Sequence, residues 1–167
     1  MAQYICKIGS REELLRRWDY LYKINPGNKW AEYRKNAIRN FDDRSTISYL
    51  GFLDGEIICE LTAYIKLSAF EGDIEDPSGL LTDDMAYLAA FRTNKEHEGK
   101  GNFSELFKFA ENDLKNRGYK ELSLGVGPEV VRNIEIYFHY GFSEYIKTTI
   151  EHDELEDEFV NFYKKKI

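Results

Sequence analysis

Cysteine occurs only twice in the 167-residue chain, at Cys6 and Cys59, and not in a CxxC spacing. Two distant thiols with no His or carboxylate placed to help them build no zinc site. Both are therefore read as small buried hydrophobes rather than ligands or nucleophiles, and no metal is expected. Long apolar runs are missing too, which excludes a membrane-spanning helix. Lys7, Arg11, Glu12 and Glu13 interrupt the N-terminal segment before the apolar core of a secretion signal forms. A cytoplasmic protein with no membrane partner is the expectation. Basic charge is scarce, with 23 Lys and Arg against 30 Asp and Glu and a net charge of -7. The only basic cluster, Lys164-Lys165-Lys166, reads as a solvated tail. Nucleic-acid binding needs a clustered basic surface and is disfavoured. Internal repeats and low-complexity tracts are absent.

What remains is ordinary globular composition, 43% apolar and 15% aromatic, in a chain long enough for one sizeable core. A single domain over residues 1–167 is expected. Tyr4 to Ile8 reads as a strand. Ser10 with Glu13 forms a capping box that opens a helix whose apolar face is Leu14, Trp18, Leu21 and Tyr22. Asn25-Pro26-Gly27 ends it. A second helix presents Trp30, Tyr33, Ala37, Ile38 and Phe41 at helical spacing.

Thr46 to Leu53 and Glu56 to Ile65 flank Asp54-Gly55, the two-residue signal of an antiparallel hairpin. Alternation puts Ile57, Cys59, Leu61, Ala63 and Ile65 on one face of the second strand and Glu60, Thr62 and Tyr64 on the other. An acidic loop, Glu71 to Asp84, leads to a strand from Met85 to Thr93. A long helix follows, with Phe103, Leu106, Phe107, Ala110 and Leu114 on one face and Arg117-Gly118 as its stop. Glu121 to Val126 reads as a strand, Glu129 to Tyr140 as a helix, Phe142 to Ile150 as a strand, and Asp157 to Tyr163 as the strand that closes the sheet. Early hairpins and a late β-α-β crossover predict a mixed α/β fold, with helices flanking a mixed, mostly antiparallel sheet.

The strongest local chemistry lies between strand and helix at Gly99-Lys100-Gly101. Free backbone amides at a helix N-terminus, with the helix dipole behind them, bind a phosphate or pyrophosphate. A lone G-x-G is equally a tight strand-to-helix turn. No Gly-Lys-Ser/Thr follows at P-loop spacing, and the glycines neither open a first β-α-β unit nor include the third of a dinucleotide fingerprint.

The run from Phe91 through Glu98-Gly99-Lys100-Gly101-Asn102-Phe103-Ser104 to Arg117-Gly118-Tyr119 resembles the acetyl-CoA-binding motif of the GNAT N-acetyltransferases. The run Arg132 to Phe142, with Tyr137 four residues before Gly141-Phe142, resembles the family's second motif. The likeness covers roughly residues 46–150, in matching order and separation. It implies a GNAT-like sheet and acetyl transfer from acetyl-CoA, the cosubstrate, to a primary amine by direct attack in a ternary complex.

By the same resemblance, the amides of Gly99, Gly101, Asn102, Phe103 and Ser104 hold the cofactor's pyrophosphate, and backbone of Phe91, Arg92 and Thr93 receives the pantetheine arm as an added strand edge does. Glu98 stands where the family has Arg or Gln, so Lys100 is the candidate to restore the charge. Phe103 stands where a small residue is usual and equally suits the core. Val130 replaces a CoA-contacting Asn, and Asn133, one turn later, is its candidate substitute. Tyr137 matches the family's general acid, and also suits a core-filling aromatic. For the base, one of Asp84 and Glu60 is favoured, with His97 and His139 as weaker candidates.

The acidic loop and net charge favour a cationic small-molecule or peptide amine as acceptor, and strand edges near the C-terminus suit a homodimer, as is common in the family. The alternative to an enzyme is a non-catalytic acyl-CoA-binding sensor of the same fold, or a structural protein whose glycine loop is only a turn.

Overall fold

Seven strands form one sheet in the order β1-β2-β3-β4-β5-β7-β6, and the computed structural model that shows it describes residues 2–152 and 156–167. The strands are β1 (Tyr4–Ile8), β2 (Thr46–Leu53), β3 (Glu56–Tyr64), β4 (Met85–Thr93), β5 (Glu121–Val126), β6 (Glu144–His152) and β7 (Asp157–Lys166). Neighbours pair antiparallel except β4 with β5, so the sheet is mixed and mostly antiparallel. The α-helices among the described residues are α1 (Arg11–Ile24), α2 (Asn28–Asp42), α3 (Asn102–Asn116) and α4 (Val131–His139). None is long and apolar enough to cross a membrane.

Local chemistry sets the boundaries. At the start of α1, Ser10 accepts from the Glu13 amide and the Glu13 side chain returns to the Ser10 amide, the reciprocal capping box. Asp54 (φ 49°) and Gly55 (φ 85°) make the hairpin turn between β2 and β3.

The core has two layers. Leu106, Phe107, Ala110 and Leu114 of α3 are buried against Ile47, Tyr49, Cys59, Leu61, Ala63, Leu88, Leu122 and Leu124 of the sheet. Each fully buried Leu there contributes roughly 1.5–3 kcal/mol. On the other face α1 and α2 pack together through Leu14, Trp18 and Leu21 with Trp30, Tyr33, Ala37 and Phe41 around them.

Four expectations change. The Lys164-Lys165-Lys166 run is not a solvated tail but the end of β7, paired with β5, and Lys165 bonds Glu111. Tyr22 is exposed, and Arg17 takes a buried place on the inner face of α1 instead. Ile57 leaves the Cys59–Leu61–Ala63 face to join Leu50 and Phe52. The cause is a bulge, since Gly51 pairs with Cys59 and Phe52 with Ile57, leaving Ile58 as the extra residue that reverses the alternation. β7 does not close the sheet at an edge but inserts between β5 and β6.

Candidate active site

The N-terminus of α3 is built to receive an anion. Gly101, its N-cap, has a left-handed φ of 82° and no side chain caps the helix, so the first-turn amides have no partner within the helix. A Cβ at Gly99 or Gly101 would meet nothing within 4 Å, which leaves open space before those amides. Behind the loop, Tyr4 Oη donates to the Asn102 carbonyl at 2.7 Å. The Cys59 thiol lies 3.0 Å from Tyr4 Oη. Gly51 makes this possible, because a side chain there would occupy the space that Tyr4 crosses. Burial pushes the Cys59 thiol up to about 11, so it is no nucleophile at neutral pH.

Beside this cradle the sheet splits. β4 and β5 pair only over Met85–Tyr87 and Glu121–Ser123, while β4 continues along β3 to Thr93 and β5 along β7 to Val126. A wedge therefore opens between β4 and β5, with one edge of β4 unpaired from Leu88 onward. Next to it Ala90 and Phe91 of β4 stand opposite the single residue Leu61 of β3, and Ala90 is held at φ 59°. A non-glycine residue in this region costs of order 1–3 kcal/mol, and such strain collects at functional sites.

Tyr137 of α4 reaches this wedge, its ring centroid 5.1 Å from that of Phe91. Phe103 packs on Phe91 from the helix side at 5.6 Å, so it serves the core. Burial raises the Tyr137 hydroxyl above its ordinary pKa, and the group keeps its proton at neutral pH. Ser104 is partly occupied elsewhere, its Oγ 2.8 Å from Tyr140 Oη. The ammonium of Lys100 bonds back to the Glu96 carbonyl at 3.1 Å. Asn133 is exposed on the first turn of α4.

On the opposite face of the sheet lies a cavity of about 290 Å³, walled by α1, α2, β2, β3 and β4 and reaching Ala89 and Ala90 at the bulge. Glu60, a candidate base, lines it and is 5% exposed. Both its carboxylate oxygens are engaged: Arg17 Nε binds Oε2 and Arg92 Nη1 binds Oε1. Arg17, 2% exposed, also donates to Asn94 Oδ1 at 2.6 Å and to the Ile57 carbonyl at 3.3 Å. Each oxygen of Glu60 thus already carries an arginine donor, which disfavours it as the acceptor of an amine's proton.

Asp84, the other candidate base, precedes β4 at the end remote from Phe91, about 23 Å away along an extended strand. Its carboxylate lies 3.8 Å from Lys120 and is mostly exposed. The structure does not bring it to Tyr137. His139 is exposed on α4, and His97 sits in a one-turn helix ahead of the glycine loop.

Sequence reading passed over Asp73 and the side chain of Arg92. Asp73 lines both the first cavity and an adjoining one of about 1040 Å³. Its Oδ2 accepts from Tyr64 Oη at 2.6 Å. Asp73 is exposed at the cleft's rim, yet crowding by protein around the carboxyl raises its pKa, against the Tyr64 hydrogen bond that lowers it; Glu151 adds to the rise and Arg92 opposes it. The signal available in sequence was Tyr64, already assigned to the Glu60 face and so pointed at whatever the acidic loop laid over it.

Over residues 12–142 the chain matches the family described as Acetyltransferase (GNAT) family. Its fold is similar to the acetyltransferase of GNAT family from Streptococcus pneumoniae, at 14% identity and a TM-score of 0.68, covering 99% of this chain and 100% of that one. It is similar to an N-acetyltransferase from Staphylococcus aureus Mu50, at 14% identity and a TM-score of 0.69, covering 98% of each chain. A GNAT family acetyltransferase from Elizabethkingia anophelis, determined with acetyl-CoA bound, is 14% identical with a TM-score of 0.65 and 98% coverage of each chain. At these identities the likeness is one of fold. No curated protein matches the chain significantly.

Proposed function

The chain belongs to the GNAT acetyltransferase family, and from that premise we propose that it transfers an acetyl group from acetyl-CoA to a primary amine by direct attack in a ternary complex. The observation that carries the reading is the wedge between β4 and β5, bordered by the uncapped N-terminus of α3 and by Tyr137, and backed across the sheet by a cavity that reaches the same bulge.

The residues present fit the cosubstrate. Amides of Gly99, Gly101, Asn102, Phe103 and Ser104 offer donors for a pyrophosphate, and the free edge of β4 from Phe91 to Thr93 offers backbone groups to an extended arm. Asn133 is the proposed further contact on α4. Bound acetyl-CoA supplies a thioester that a neutral amine attacks.

The chain's own task is proton management. Tyr137 holds its Oη proton at neutral pH and would give it to the leaving sulfur. On the acceptor side the amine arrives charged and must lose a proton. Asp73 has one oxygen not bound by Tyr64 and a raised pKa, which suits it to accept that proton better than Glu60, whose oxygens are both held, or Asp84, which is remote.

The test is release of free thiol from acetyl-CoA with a panel of primary amines. Turnover that depends on the amine and drops in Tyr137→Phe supports the reading. Binding of acetyl-CoA with no thiol release from any amine points to a non-catalytic acyl-CoA-binding module.

A further inference from the structure

The backbone of Arg92 faces the proposed cofactor edge, but its side chain belongs to the other side of the sheet. It leaves β4 two residues beyond Ala90 and enters the cavity that reaches the bulge. There it is held on three sides. Nη1 donates to Glu60 Oε1, and the guanidinium carbon lies 5.3 Å from the ring centroids of both Trp18 and Trp30. Its side chain remains 28% exposed.

Two properties of this arrangement point to a ligand. First, within the hydrogen-bonded trio the charges do not cancel: Arg17 and Arg92 share the single carboxylate of Glu60, and Asp73, the other carboxylate on the cavity wall, feels the charge of Arg92 but hydrogen-bonds Tyr64 instead. Arg17 is buried, so the surplus is presented at Arg92. Second, a guanidinium carries five N–H donors in a planar fork. Among the described residues Glu60 is the hydrogen-bond partner of Arg92, through Nη1 alone. The remaining donors are held rigidly by the aromatic rings, the pre-organised form that a planar carboxylate matches.

We propose that Arg92 binds a carboxylate on the acceptor, which makes the acceptor an amino acid or a similar small amino-carboxylate. The inference rests on the acetyltransferase reading. The placement suits it, since Ala90 at the bulge and the side chain of Arg92 line the same cavity, so one small molecule there can meet both. The surroundings suit the other end of such a molecule. Asp73 stands on the cavity wall, and the adjoining cavity carries Glu32, Glu71, Glu75, Glu151 and Glu158, with Lys29 and His152 among them. That approach draws in an ammonium group, while Arg92 holds the carboxylate. A simple polyamine would satisfy the first and leave the second unmet.

The test reads thermal midpoints of the protein saturated with CoA. Each common α-amino acid, β-alanine and γ-aminobutyrate is compared with its decarboxylated amine. At least one amino-carboxylate raises the midpoint, and its decarboxylated counterpart binds about tenfold more weakly or worse. Arg92→Gln abolishes that rise and keeps the shift given by CoA itself. Arg92→Lys, which keeps the charge and the link to Glu60 but not the planar fork, retains part of the affinity. The proposal is overturned if the decarboxylated amine binds as tightly as its parent, or if the rise survives in Arg92→Gln. It is overturned as well if no amino-carboxylate shifts the midpoint at about 10 mM, ten times the Kd of a millimolar ligand. Absence of a CoA shift in the unaltered protein is a different result and removes the acetyltransferase reading beneath it.

Discussion

Tyr137 of α4 and Phe91 of β4 meet beside the wedge between β4 and β5, with ring centroids 5.1 Å apart and planes inclined at 46°. The contact fixes where the Tyr137 hydroxyl sits without using the hydroxyl, so packing and chemistry separate. Tyr137→Phe is expected to keep the unfolding free energy within about 0.5 kcal/mol and to lower kcat by about a hundredfold or more. Steady-state kinetics beside a urea titration checks both. A stable variant with unchanged kcat would remove Tyr137 as the acid.

Glu60→Gln removes the one carboxylate that Arg17 and Arg92 share in a buried setting. Two guanidiniums then face each other without compensation, and breaking a buried pair in this way costs about 3–5 kcal/mol. The unfolding free energy from urea titration is expected to fall by about that amount with the slope m unchanged. A loss near zero would mean that water, not Glu60, satisfies the two arginines.

Asp73 gives a pH signature. Its pKa is raised, chiefly by desolvation, and it accepts a proton only when ionised. Activity is therefore expected to fall as pH drops through a midpoint above the ordinary Asp range. Tyr64, Arg92 and Glu151 all act on this carboxyl, so the limb shifts if they are altered. Asp73→Asn should remove the limb and lower kcat with any amine that is turned over; a pH–rate profile that keeps the limb would assign it to another group.

His152 lies 2.7 Å from Asp157 on the strand pair β6–β7, and that hydrogen bond, with the charges of Asp157, Glu75 and Glu151, raises its pKa above 6.5. A cation stabilised by the fold contributes stability that is fully present below the unfolded value and is lost as pH rises through the folded one. At this exposed site the direct check is the NMR titration of the imidazole. Its midpoint should lie above 6.5 and drop in Asp157→Asn. A midpoint that does not move would show the ion pair to be absent in solution.

The sequence made the elements legible because each follows a local rule. Ser10 with Glu13 announced α1, and Asp54-Gly55 announced the hairpin. The period of Leu106, Ala110 and Leu114 announced α3. What stayed hidden depended on distant partners or on broken periodicity. Arg17 on an apolar helix face reads as solvated until Glu60, forty-three residues away, is seen to hold it. Ile57 changes face because one extra residue, Ile58, enters the strand, and alternation cannot report its own interruption. Asp73 was lost among the acidic residues of its loop, and only the fold over Tyr64 distinguishes it.

Acetyl-CoA binding is the most direct test, read as the thermal midpoint of the protein with and without the cosubstrate. A ligand that binds the folded state alone adds about 2.7 kcal/mol at a hundred times its Kd. A clear upward shift is expected, and it should disappear in Gly101→Val. That replacement puts a β-branched side chain at a left-handed φ of 82° and into the space before the α3 amides. No shift at saturating acetyl-CoA, or one that Gly101→Val leaves intact while the variant stays folded, would contradict the placement of the cosubstrate at the α3 N-terminus.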